Sequence, residues 1–161
     1  VHTKAITAVA TSADGLVMAT ASNDRTAALY EASTGRLLCS FPKLTQRVSV
    51  LSLSPALSHV ASGDADGLVK IWQLGALGSM MADTGEGKGK KMKPMVLPDT
   101  PEFGAKGHTG PVRGIVFMQA ADFVVSIGDD SAVKVWMLST GSVLRVLSGH
   151  KGPVNCVRVL K

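Results

Sequence analysis

Ser126, His108 and Asp130 are the three residue types of a nucleophilic triad: a hydroxyl, an imidazole and a carboxylate. In that chemistry the ring takes the serine proton, the carboxylate orients the ring, and the hydroxyl stands exposed beside donors for an oxyanion. Asp130 also follows Asp129 in "GDDSAVKVW" (128 to 136), and paired carboxylates are the residue types of general acid–base work. The same stretch is equally a turn, since Gly, Asp and Ser close chain reversals and the alternating apolar run after them fits a strand. A catalytic constellation would stand once in the chain, whereas a structural one would recur.

Other candidate chemistries are weaker. Cys39 and Cys156 stand in no CxxC or Cys/His spacing, so neither a disulfide framework nor a zinc site is expected, and both read as small buried apolar side chains. "TGEGKGKKMKP" (84 to 94) lacks the GxxxxGK[ST] spacing of a phosphate loop and reads as a solvated loop. Met80, Met81, Met92 and Met95 read as gap fillers or loop residues, and His59 as a packing or surface residue. No catalytic residue, metal ligand or cofactor is expected. The net charge of +5 is spread along the chain, and its one cluster (Lys88, Lys90, Lys91, Lys93) is offset by Asp83, Glu86, Asp99 and Glu102. Such a balance favours solubility over a phosphate groove. With no run of about 18 apolar residues and no signal-like start, the expectation is a soluble intracellular protein of cytoplasm or nucleus, the cytoskeleton or cilium included.

The constellation does recur. "HTKAITAVATSADGLVMATASNDRTAALY" (2 to 30) aligns without a gap on "HTGPVRGIVFMQAADFVVSIGDDSAVKVW" (108 to 136). "LTQRVSVLSLSPALSHVASGDADGLVKIW" (44 to 72) falls on the same template, with Leu44 in the histidine's place. A fourth copy opens at "GHKGPVNCVRVL". Starts at 2, 44, 108 and 150 give a period near 42, lengthened in the second unit by about 22 residues. Within each unit the apolar spacing is two, as in "VSVLSL" and "VKVWML", with turn signals "SADG", "STG", "DADG" and "GDD" between runs. Each unit therefore reads as four short strands, near 5–10, 17–22, 26–31 and 36–41 in the first. Four antiparallel strands at this period are the blade pattern of a β-propeller.

The openings "GHTGPV" and "GHKGPV", the SxxxD pairs and the closing "VKIW" and "VKVW" resemble the WD40-repeat (WD-repeat) family. The residue after the aromatic departs from the name-giving aspartate, being Gln73, Met137 and Glu31. The resemblance implies an all-β, WD40-type partial propeller over 1–161. Blade 1 spans about 2–43, and blade 2 about 44–107, with an insertion at about 75–105 from which either "KPMVL" or the stretch near Phe103 supplies the outer strand. Blade 3 spans about 108–149, and the first strand of blade 4 lies in 150–161. It also implies a buried hydrogen-bonded tetrad in each blade: His108, Ser126, Asp130 and Trp136 in the third, His2, Thr20, Asp24 and Tyr30 in the first, and Ser62, Asp66 and Trp72, without the histidine, in the second.

Partner contacts in similar proteins lie on a rim at three positions per blade. Carried over, these are Asn23, Ala5 and Thr7; Ala65, Arg47 and Ser49; Asp129, Pro111 and Arg113; then Pro153 and Asn155. Arg47 and Arg113 are the candidates for an acidic or phosphorylated segment. The implied function is a non-catalytic scaffold binding proteins or peptides within a larger complex, its ring completed by further blades of the same chain or by another copy. An RNA-associated subunit of a ribosome-biogenesis or splicing particle, and a microtubule- or cilium-associated propeller, are the alternatives. No motif indicates RNA, and no membrane association is expected.

Overall fold

The computed structural model describes residues 2–41, 44, 46–75, 77, 95–96, 103–118 and 122–159. Their alternating pattern folds into short strands, because period-two apolar residues place one set of side chains on each sheet face. The first sheet holds β1 (Ile6–Thr11), β2 (Val17–Ser22), β3 (Ala27–Glu31) and β4 (Leu37–Ser40). The second holds β5 (Val48–Leu53), β6 (His59–Asp64) and β7 (Leu68–Gln73). The insertion then contributes two strands, β8 (Met95–Val96) and β9 (Phe103–Lys106), and β9 is the outer strand of the second sheet, with Ile71 opposite Phe103 and Leu68 opposite Lys106. The third sheet holds β10 (Val112–Phe117), β11 (Phe123–Gly128), β12 (Val133–Met137) and β13 (Val143–Leu147). The four blade strands of each sheet run antiparallel to their neighbours.

The sequence left "KPMVL" and the Phe103 stretch as rivals for one position, and the structure uses both. Met95–Val96 pairs in parallel with β4, Cys39 opposite Met95 and Ser40 opposite Val96, so a segment of the second blade's insertion edges the first blade. Its cover of β4 removes an open strand edge, a liability in any sheet. The lysine cluster, Met80, Met81 and Met92 lie outside the described residues.

β5 lies between β1 and β10, so the first strands of the three sheets are innermost and the blades stand side by side around them. One apolar cluster fills the space between the first and second sheets, with Ala19, Ala21, Ala27 and Leu29 meeting Leu51, Val60 and Trp72. A second joins the second and third through Ala61, Val69, Ile71, Val112, Ile115, Val124 and Trp136. Burying each large aliphatic side chain contributes about 1.5–3 kcal/mol, which makes these clusters the main cement between blades. Beyond them β13 is exposed along its whole length, including Val143, Leu144, Val146 and Leu147.

Residues 150–159, where the first strand of a fourth blade is expected, pair in none of the three sheets: Val154 N–H donates to Gly128 O at 3.2 Å and Val157 lies over Gly114, so the segment rests on β10 and β11. Cys39 is buried as expected, but Cys156, on that same segment, is exposed. Among the described residues no helix is long and apolar enough to cross a membrane.

Candidate functional site

The strand register decides where the site lies. Ile6 stands opposite Ser22, Val48 opposite Asp64 and Val112 opposite Gly128, so the start of each inner strand meets the end of the second. The loop entering each blade and the turn between its second and third strands are thereby gathered at one end. Every candidate residue in these loops and turns sits there, and the Ser, Thr and aromatic members lie on the strands beneath.

In the third blade four side chains form one chain. Trp136 Nε1 donates to Ser126 Oγ at 2.8 Å, Ser126 Oγ lies 2.7 Å from His108 Nε2, and His108 Nδ1 lies 2.7 Å from Asp130 Oδ1. Because Ser126 accepts from the indole, its own proton goes to Nε2, which leaves the Nδ1 proton for Asp130. Burial pushes the Asp130 carboxyl up, but the His108 ring and the Thr109 and Ala132 N–H groups outweigh it and hold the carboxyl below its ordinary value. Ser126 and His108 are 0% and 1% exposed, so no substrate reaches the hydroxyl, one of whose two lone pairs already accepts from the indole. Gly107 belongs to this arrangement too. A Cβ there would stand 2.2 Å from the Trp136 ring, so the residue before the histidine has no room for a side chain.

The first blade departs at one atom. His2 Nε2 lies 2.7 Å from Thr20 Oγ1, but His2 Nδ1 bonds Thr26 Oγ1 at 2.7 Å, and the Thr26 hydroxyl donates onward to Asp24, whose carboxylate is 3.9 Å from the ring. Thr26 occupies the position of Ala132, which has no hydroxyl, and this explains why the third blade bonds directly and the first through a relay. The Thr26 hydroxyl, with the Thr3 N–H, lowers the Asp24 pKa. Tyr30 does not replace the indole: Thr20 bonds His2 and receives nothing from the phenol.

The second blade has no such chain. Trp72 Nε1 is buried without a hydrogen-bond partner among the described residues, and Asp66 is exposed. Two residues account for this. Leu44, itself buried, offers no ring to link hydroxyl and carboxylate, and Asp64 takes over the turn. The Asp64 carboxylate accepts from Asp66 N–H and Leu68 N–H, both at 2.9 Å; in the other blades the equivalents of Leu68 N–H bond Asp24 and Asp130. Ser22 and Gly128 stand where Asp64 does, so the clue was an extra carboxylate two residues early. The indole packs edge-on to Phe41, ring centres 5.0 Å apart.

Above this interior lies the rim. Each inner strand carries a bulge at one repeat position, whose extra residue is Thr7, Ser49 or Arg113. Bulges re-aim a side chain at the edge of a sheet. Thr7 Oγ1 donates to Val48 O at 2.7 Å and so bridges blades. Arg113 grips Asp129 through both oxygens, at 2.7 and 2.6 Å, which raises the arginine pKa and lowers that of the aspartate. It is therefore committed within its own blade, unlike Arg47, which is exposed and unpaired among the described residues. Asn23, Ala5, Pro153 and Asn155 are exposed; Ser49 is partly buried, and Ala65 and Pro111, also partly buried, line a groove between the second and third blades.

Comparison with known proteins places this geometry in a family. The WD domain, G-beta repeat, matches residues 1–31, 35–73 and 100–137, and the chain belongs to that family. Its architecture is that of a WD40-type β-propeller, represented by these sheets. The solved WD40 repeats of RRP9 superpose with a TM-score of 0.74 at 22% identity, over 95% of this chain and 41% of theirs. Eukaryotic translation initiation factor 3 subunit I of Bombyx mori is 32% identical over 136 residues, 83% of this chain and 38% of the relative. The nuclear distribution protein nudF of Aspergillus niger is 23% identical over 172 residues, 93% of this chain and 34% of the relative. The chain thus spans well under half the length of these relatives.

Proposed function

We propose that the chain is a non-catalytic scaffold that docks protein or peptide segments on this rim, as part of a multi-subunit assembly in the cytoplasm or nucleus. The observation that carries the reading is that three repeats present loops at equivalent positions on one end, over sheets whose packed cores hold those loops in fixed relation. Rigid presentation of short variable loops is what a recognition surface needs, because little ordering entropy is lost on binding. The name of the Bombyx mori relative, a subunit of a translation initiation factor, supports membership of an assembly. The tetrad of the third blade and the relay of the first contribute rigidity, and Asn23, Arg47, Ser49, Ala65, Arg113 and Asp129 with their neighbours are the contact candidates.

Affinity capture with the chain, followed by mass spectrometry, tests this. Asn23→Ala combined with Arg47→Ala should lose the captured proteins while melting like the parent. Capture that survives both substitutions would refute rim docking, and steep salt dependence of binding to generic RNA would favour an RNA-associated role instead.

A further inference from the structure

Asp66 occupies the repeat position of Asp24 and Asp130, yet it does none of their work. Asp24 accepts from Thr26 and Thr3, and Asp130 accepts from His108, Thr109 and Ala132. With Leu44 in place of the histidine and Asp64 bonding the turn, the Asp66 carboxylate is exposed and no described residue donates to it or pairs with it. Lys134 reaches Asp130 at 3.9 Å, whereas Lys70, four residues after Asp66, forms no such pair.

Asp66 lines a cavity of about 480 Å³ between the second and third blades, together with Ala65, Leu68, Thr109, Gly110 and Pro111. The volume lies within the range of about 300–1,000 Å³ typical of ligand sites. Between Asp66 and Leu68 the two blades are in close backbone contact: Gly67 has φ +85°, and a Cβ there would lie 2.1 Å from His108 O. The nearby arginine does not compete for the carboxylate, since Arg113 is closed on Asp129.

We propose that this groove receives a basic side chain, arginine or lysine, projected by a docked peptide segment. Asp66 pairs with the cationic head while Leu68 and Pro111 flank its aliphatic stem, a division that suits long amphipathic side chains. The proposal deepens the rim-docking reading and rests on it for the source of the segment. It assigns the second blade a specificity that the first and third lack, because their aspartates are spent on the interior.

The test is a titration of isotope-labelled chain with acetyl-Gly-Arg-Gly-amide, followed by amide NMR shifts, with acetyl-Gly-Gln-Gly-amide as the neutral comparison. The arginine peptide should move the Ala65, Gly67, Thr109 and Gly110 signals and bind at least tenfold more tightly than the glutamine peptide. Asp66→Asn should abolish that difference while melting like the parent. Equal binding of the two peptides, shifts mapping elsewhere, or an Asp66→Asn variant that retains the preference would overturn the proposal. An Asp66→Asn variant as unstable as Asp130→Asn would also overturn it, by showing a structural role. The failures are separable. If Asp66→Asn keeps the captured proteins that Arg47→Ala loses, the groove is wrong and the rim stands. If the groove selects arginine but rim variants capture everything the parent does, the rim reading falls and the pocket remains.

Discussion

Trp72 and Trp136 hold the same place in consecutive repeats, both almost fully buried, but only Trp136 has an acceptor for its indole N–H. Replacing each by phenylalanine removes the same atoms, so the cavity costs are similar and the difference reports the polar group. Trp136→Phe gives up the bond to Ser126, worth about 0.5–1.5 kcal/mol net. Trp72→Phe gives up no bond and removes a buried donor whose burial unpaired costs about 1–3 kcal/mol. A phenyl ring at 72 can still meet the edge of Phe41. Trp136→Phe should therefore be the more destabilising, by about 1.5–4.5 kcal/mol. In a chain of this size each kcal/mol moves the melting temperature by roughly 2–4 °C, so the two variants separate by at least about 3 °C. Urea unfolding with unchanged slope is the companion measurement. Equal destabilisation, or a larger loss for Trp72→Phe, would refute the contrast between the two blades.

Asp130→Ala strands the His108 N–H and should cost about 1–3 kcal/mol in thermal melts, while Asp66→Ala stays close to the parent. Asp24 and Asp130 both have pKa values below their ordinary one, so in the folded state they favour the charged form. The stability they add is complete above the unfolded pKa, about 3.9, and is lost as pH falls below it; melts from pH 7 to pH 2 should steepen there, less so for Asp130→Asn. Gly35 (φ +69°) has nothing within 4 Å of a built Cβ, so Gly35→Ala should cost only the left-handed backbone penalty of about 1–2 kcal/mol. Gly67→Ala should cost clearly more in urea unfolding, because its Cβ also collides with His108 O; similar losses would show that the two blades part easily at that contact.

The period-two pattern and the repeat spacing made the three sheets legible, because a strand's side-chain alternation is written directly in its residues. The outer strand of the second blade was not legible. "KPMVL" and the Phe103 stretch are both short and β-compatible, and only the tertiary pairing sends one to β4 and the other to β7. In the third blade, the contact that the family resemblance implied among His108, Ser126, Asp130 and Trp136 is the one the structure forms. In the other two, one neighbour changed the wiring: the Thr26 hydroxyl intervened in the first, and Asp64 captured the Leu68 amide in the second. A template aligned on the four named positions does not see a competing donor or acceptor two residues away, because hydrogen bonds go to whichever partner is nearer.

That the second blade keeps its shape without the tetrad follows from a backbone contact that no side chain supplies. The N–H of Leu44 donates to Arg25 O at 3.0 Å, and the N–H of His108 donates to Gly67 O at 3.1 Å, so the loops entering the second and third blades are pinned alike to the preceding blade's turn, with a leucine at the histidine position in one and the histidine in the other. In repeat proteins stability is close to a sum of unit and neighbour contributions, so a unit that loses an internal network survives if its neighbour contacts persist. The side-chain network is thus the replaceable part of the design and the inter-blade backbone clamp is the fixed part. Replacement at Leu44 left an aspartate exposed at the rim in a position whose geometry the clamp still holds, and a charged group held rigidly at a surface without a partner of its own is better placed to select a ligand than one already bonded inside.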